Sequence, residues 1–259
     1  MVEIKLSQGA KPAHGGILPA AKNTTEIAAI RGVTPHTQVD SPPYHTAFTD
    51  YKSMLTFVAR IRSLSNGLPV GIKLCVGNEK EVKDLINTMV ELGVWPDFIT
   101  VDGGEGGTGA APLVFTNHVG MPLLDGLKLV NQTLIDAGLR DEIKVIASGK
   151  ASSSFDILKL IAIGADAVNA ARAFMLSLGC IQARECNSNT CPVGVATQNK
   201  TLIKGLNPEE KKVRVYNYHH KVMHEIKELI AAMGYTSVKQ VTTDDFSKRD
   251  KSGELKTIE

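Results

Sequence analysis

Paired metal-binding motifs, long apolar runs and an excess of either charge are all missing from this sequence. No two cysteines stand in a CxxC pair, so the usual structural zinc patterns are excluded. No apolar run approaches the roughly 20 residues that a membrane-spanning helix needs. The formal net charge is only +2, from 29 Lys and Arg against 27 Asp and Glu. That balance gives no case for nucleic acid or an anionic membrane surface as partner. The first residues, Met1-Val-Glu-Ile-Lys-Leu6, lack the basic and apolar regions of a signal peptide. Four cysteines without such a signal lead us to expect a reducing, cytoplasmic setting, where clustered thiols serve metals more often than disulfides.

What is present is a regular alternation. With 259 residues, 43% apolar and 22% charged, the chain has the makings of a sizeable core. Strands are expected over residues 2–6, 69–76, 97–102, 143–147 and 165–170, from short apolar or alternating runs. Between them, helical spacing runs from Asn23 or Thr24 to Arg31, and over 50–63, 79–92, 124–137 and 154–163. Asn207-Pro208 opens a last long helix to about residue 233, with Pro at the favoured first position. Strands alternating with helices mean βα units and a parallel sheet. Five units are visible, against eight in a closed barrel. The expectation is therefore a (β/α)8 TIM-barrel type of which the C-terminal five units are present, over residues 1–245, followed by a charged, frayed tail over 246–259.

In such a fold the chemistry sits at the C-terminal ends of the strands. Those ends carry Gln8 and Lys11, then Lys73, then the run Asp102-Gly103-Gly104-Glu-Gly-Gly107-Thr-Gly109. The last two add Ser148-Gly149-Lys150 and Asn169-Ala170-Ala171-Arg172. The glycine run has no helix opening directly after it, so it reads as a ligand-facing loop rather than a nucleotide-binding turn. The residues from Ser148 to Ser154, with Ala170 to Arg172, have the backbone amides, helix start and charge of a phosphate site; the plain alternative is a capped helix start and a solvated Arg. Lys73, among Ile72 and Leu74, is read as inward-facing and in need of an anion or an electron-rich ring. Lys11 and Arg31 are candidate carboxylate binders, although Arg31 also suits the C-terminus of a helix. The histidines, His45, His118, His219 and His220 among them, are taken as surface or loop residues. Cys75 reads as a core thiol. Cys180, Cys186 and Cys191 fall in a C-x5-C-x4-C pattern with Pro192 directly after. Soft iron in an iron–sulfur cluster suits three close thiolates, and three ligands match a three-iron form; unrelated thiols, or a disulfide and a spare, remain open.

With these residues in place the chain resembles the FMN-binding synthase domain of glutamate synthase, in its short, stand-alone form without an amidotransferase domain. The matching segments are Glu3-Ile-Lys-Leu-Ser-Gln-Gly-Ala-Lys-Pro12 with Gly15-Gly16, Ser41-Pro-Pro43, Gly71-Ile-Lys-Leu74 and Asp102 to Pro112. Further on come Gly179-Cys-Ile181 and Asn189 to Gln198. The resemblance implies a cytoplasmic oxidoreductase acting on CH–NH2 donors, which converts 2-oxoglutarate and ammonia to L-glutamate. It implies FMN, with Lys73 beside it, Asp102, Gly103, Gly104 and Gly107 near it, and Ser148, Gly149, Lys150, Ala170, Ala171 and Arg172 around its phosphate. Gln8, Lys11 and Arg31 would hold 2-oxoglutarate, with Lys11 and Lys73 as the candidate catalytic residues. Cys180, Cys186 and Cys191 would ligate a 3Fe-4S cluster. Its partners would be an electron-donor protein and, since the first three strands and the glutaminase are not seen, a chain supplying those strands and an outside source of ammonia. The loop Pro12-Ala-His-Gly-Gly-Ile17 departs from the family's Pro-Gly-Glu-Gly-Gly-Gln. The alternatives are a non-catalytic electron-transfer or partner-binding subunit, or an inactive fragment of a longer synthase.

Overall fold

The computed structural model describes residues 1–106 and 111–258. In chain order its principal elements are β1 (Val2–Lys5), β2 (Ile17–Leu18), α1 (Thr25–Arg31), β3 (Val39–Asp40), α2 (Tyr51–Leu64), β4 (Val70–Leu74) and α3 (Glu79–Leu92). There follow β5 (Phe98–Asp102), α4 (Leu113–His118), α5 (Leu123–Asp136), β6 (Lys144–Ser148), α6 (Ser154–Ile163), β7 (Ala167–Asn169), α7 (Ala171–Ser177), α8 (Pro208–Ala232), β8 (Ser247–Arg249) and β9 (Leu255–Thr257).

Local chemistry sets the helix limits. Asp50 and Ser153 cap α2 and α6 through reciprocal capping boxes with Ser53 and Asp156. Asn78 caps α3, and Gly93 ends it in the left-handed conformation, φ 62°. Pro208 opens α8, as its position predicts.

Five strands form one parallel sheet in the order β1-β4-β5-β6-β7. Each strand lies beside its predecessor in the sheet, so the order never reverses. This is the winding of a barrel wall, not of a doubly wound sheet. The α/β class and the five parallel βα units are as the alternation predicts.

Because side chains alternate along a strand, the register divides the sheet into two chemically distinct faces. Ile4, Ile72, Ile99 and Val145 align in one row. Together with Val101 and Ala147 they are buried among Leu55, Val58, Ile86, Met89, Leu127 and Leu134 of the covering helices. The other parity carries Glu3, Lys5, Gly71, Lys73, Thr100, Asp102 and Ser148. At the N-terminal ends, Asp97 accepts from Val70 N at 2.7 Å and Arg62 at 3.0 Å, and Asp166 accepts from Val145 N at 2.8 Å and Arg140 at 2.9 Å. These are structural ties, on the face opposite the candidate site.

Residues 246–258, expected to fray, instead contain the antiparallel pair β8–β9. Phe246 anchors it: the ring is buried with Leu158, Val222, Ile226 and Val241, edge-on to Phe155 at 5.3 Å. The charge of this stretch hides two apolar residues that pack on the same cluster, Phe246 and Ile258, and a turn in which Asp250 accepts from Ser252 N at 2.8 Å. Two further elements appear, α4 within 103–122, a stretch expected to be a loop, and α7 directly after β7. Among the described residues no helix is long and apolar enough to cross a membrane.

Candidate active site at the C-terminal ends of the strands

Lys5 and Lys73 are register partners on β1 and β4, so their side chains leave the same face side by side. Lys73 Nζ lies 3.4 Å from Asp102 Oδ2, across to β5. The same oxygen accepts from Gly9 N at 2.9 Å and so fastens the loop after β1 over the sheet. Lys5 Nζ donates to Gln8 Oε1 at 3.4 Å. Lys11, only 6% exposed, donates to Gly15 O at 3.3 Å. Thr100, the register partner of Lys73 on β5, donates through Oγ1 to Glu3 Oε2 at 2.7 Å.

Three ammonium groups therefore gather around two carboxylates. Burial first, then Lys73 and Lys11, push the Lys5 ammonium below its ordinary value of 10.5, while Asp102 and Glu3 pull the other way. The folded chain holds that proton less tightly than the unfolded one. The penalty is thus present below the lowered pKa, and stability from this group rises as pH climbs from there towards 10.5. An anion seated among the lysines reverses the shift. We expect dicarboxylate binding to take up protons in the alkaline range below 10.5. Calorimetry in two buffers of different ionisation enthalpy measures this, and Lys5→Met should abolish the uptake.

Sequence reasoning placed Gln8, Lys11, Lys73 and Asp102 here and overlooked Lys5. The signal was available: Glu3 and Lys5 share a strand parity with no apolar partner. A cleft of about 390 Å³ opens beside these groups, lined by Lys5, Ser7, Gln8, His14, Tyr44 and His45 among others.

Three glycines of these loops, Gly104 and Gly149 of those expected near a cofactor and Gly9 besides, stand close against protein. A Cβ on Gly9 would stand 2.0 Å from Gly103 O, one on Gly104 2.7 Å from Gly120 O, and one on Gly149 2.6 Å from Leu123 Cδ2. Their close approach is to protein, which seals the loops after β1, β5 and β6 together. Gly103 N also donates to Ser148 O at 2.9 Å. Ser148 is buried, Lys150 exposed; Ala170 precedes α7, and Ala171 and Arg172 form its first turn. Arg172 is half-buried and engaged. Gly107 lies outside the described residues. Arg31 is exposed in the last turn of α1, where the helix end favours a cation.

All four cysteines are free. Cys75 is buried, and burial, then Asp102 and Glu105, push its thiol up to about 11. That keeps it protonated, as befits a core thiol. Cys191 behaves oppositely. Burial pushes its thiol up, but the backbone N–H groups of Ala196, Val193, Val195 and Gly194 outweigh this and hold it below the ordinary 9.0. The loop from Gly179 bends through three non-glycine residues in the left-handed region, Gln182, Arg184 and Asn189, at φ 57°, 61° and 68°. Such conformations are uncommon and persist where the surroundings impose them. Among the described residues no group of three or more His, Cys, Asp or Glu side chains is arranged to hold a metal ion. The donor chemistry of the loop fits soft iron, whereas the three sulfurs are not gathered as a ligand set. The HxxxH spacing of His220 and His224 on α8 is likewise not a site: His224 pairs with Glu228 at 3.1 Å and His220 stacks on Tyr216.

A singly wound parallel α/β wall with a group of lysines beside a cleft at its strand C-termini defines the class. Residues 1–236 match the family described as a conserved region in glutamate synthase, and the chain belongs to that family. It is 41% identical over 257 residues to the "Glutamate synthase large subunit-like protein YerD" of Bacillus subtilis (strain 168), covering 99% of this chain and 49% of YerD. It is also 41% identical over 246 residues to an "Archaeal glutamate synthase [NADPH]" of Methanocaldococcus jannaschii, covering 93% of this chain and 46% of that protein. The chain thus spans about half the length of these relatives. A solved flavocytochrome b2 variant aligns with 86% of this chain and 43% of its own, at 18% identity and a TM-score of 0.45.

Proposed function

We propose that this chain carries the amination site of a glutamate synthase-type oxidoreductase, which converts 2-oxoglutarate and ammonia to L-glutamate. The observation that carries the reading is the lysine group at the strand ends. Lys5, Lys11 and Lys73 exceed their acids, Asp102 and Glu3, by one charge beside a cleft that Lys5 and Gln8 line, as suits a dicarboxylate. Lys5 and Lys11, with Gln8, would bind the oxo acid. Asp102 holds Lys73 in place and pins the Gly9 loop that carries Gln8 and Lys11.

In this reading the polar face of the sheet, with Lys73 and Ser148, faces a bound FMN, and Cys180, Cys186 and Cys191 hold an iron–sulfur cluster. When bound, the flavin supplies the hydride and the cluster the route by which electrons arrive. The amide cradle of Cys191, which favours a thiolate, supports the cysteines' part. Phosphate contacts would come from the 148–154 loop and the first turn of α7. An electron-donor protein, and strands completing the barrel wall beyond β1 and β7, are further parts of the proposal.

The test is anaerobic. The flavin-reconstituted protein is reduced, then given 2-oxoglutarate with ammonium, and flavin re-oxidation is followed together with glutamate formation. Re-oxidation with glutamate supports the reading. A reduced flavin that persists in the presence of both substrates overturns it. Iron and acid-labile sulfide per chain test the cysteines separately, and flavin without iron removes the cluster alone.

A further inference from the structure

Making an imine from a 2-oxo acid and ammonium needs a group that first accepts a proton and then returns it. Lys5, which lines the cleft, and Lys11 and Lys73 beside it are binding charges and do not suit that exchange. Imidazole does, near neutral pH. Two line the cleft, His14 and His45.

Their surroundings separate them. His45 Nε2 bonds to Lys5 O at 2.8 Å, and its ring stacks on Phe48 with centroids 4.7 Å apart. It ties the Ser41-to-Thr46 loop to the end of β1. His14 Nδ1 lies 3.0 Å from Gly15 O, a carbonyl that can only accept. In the neutral ring that nitrogen carries the proton, and Nε2 keeps its lone pair. Gly15 O also accepts from Lys11 Nζ, so the imidazole and a buried ammonium meet at one oxygen. The ring is steadied edge-on by Phe115, at 5.3 Å and 81°. The backbone beneath it is fixed as well, since a Cβ on Gly15 would stand 1.9 Å from Ser41 O. His14 is thus an exposed, oriented base beside the cationic end of the cleft.

We propose that His14 is the acid–base residue of imine formation in this cleft, an assignment that rests on the amination reading above. Its Nε2 takes a proton from ammonium, which frees ammonia. The nitrogen lone pair forms the C–N bond to the keto carbon while the C=O π pair moves to oxygen, and a proton passes from nitrogen to that oxygen. The resulting carbinolamine hydroxyl then receives the proton held by His14 and leaves as water. The nitrogen lone pair closes the C=N bond. The sum is ammonium plus ketone giving iminium plus water, with His14 restored and nothing oxidised or reduced.

The experiment needs no hydride transfer. The protein is incubated with 2-oxoglutarate labelled with ¹⁸O at the keto position, with and without ammonium, and label loss above the uncatalysed rate is followed by ¹³C NMR. We expect ammonium-dependent loss, reduced at least about 30-fold in His14→Gln, in line with the contribution of a positioned acid–base group. 2-Oxoglutarate affinity and thermal midpoint should stay near wild type. Free imidazole should restore exchange to His14→Gly. Undiminished exchange in His14→Gln, or no rescue of His14→Gly, overturns the assignment of His14 alone. Absence of ammonium-dependent exchange in the wild-type protein overturns the amination reading and this assignment with it.

Discussion

Asp102→Ala should cost about 3 kcal/mol of stability, the range for removing one partner of a buried, hydrogen-bonded ion pair. Asp102 is 7% exposed and holds two donors on one oxygen, Lys73 Nζ and Gly9 N. Its loss leaves Lys5, Lys11 and Lys73 facing only Glu3 and releases the loop after β1. Asp102→Asn should cost about half as much, because the amide oxygen still accepts from Gly9 N while the charge is lost. The distinguishing mark is the response to anions. A dianion such as malonate should raise the melting temperature of Asp102→Asn more than that of wild type at equal ionic strength, since it replaces the missing negative charge. Equal shifts in both proteins would show that the lysines do not act as one anion site.

Gly9→Ala should be nearly as damaging for an unrelated reason. The added methyl would meet Gly103 O at 2.0 Å and Asp102 O at 3.1 Å, all backbone, so no side chain can turn away to make room. Overpacking of this kind costs about 3 kcal/mol, on the order of 10 °C in Tm for a chain of this size. Lifting the loop also breaks the bond from Gly9 N to Asp102, so dicarboxylate affinity should fall with stability. Gly16→Ala is the comparison, because its methyl would come no nearer than 3.8 Å to any neighbour, the Ser41 Oγ. Thermal scans of the two variants, with malonate titrations, check both statements. A Gly9→Ala protein as stable as Gly16→Ala would refute the packing argument.

The two variants also show where reading along the chain stops. Asp102 and Lys73 were visible as polar residues ending apolar strands, and the fold brings them within 3.4 Å of each other. Gly9 was visible only as one glycine in a loop. That its neighbour is Gly103, 94 positions later, follows from the pairing of β1 with β4 and β4 with β5. Lys5 was passed over for the same reason. Its parity with Glu3 was legible within residues 1–10; that it stands opposite Lys73 on the next strand was not.

The sequence alone determined the alternation of strands and helices, the cap of α1 at Thr24 and the opening of α8 at Pro208, and the segregation of polar from apolar residues on each strand. These are properties of short stretches, fixed by backbone periodicity and by hydrogen bonds between residues three or four apart. Only the tertiary structure decided which lysines meet, that Gly149 is filled by Leu123 rather than left open, and that Phe246 pins the last hairpin to α6 and α8. Each of these depends on contacts between distant segments, where charge, volume and burial are set by neighbours that the local pattern does not name.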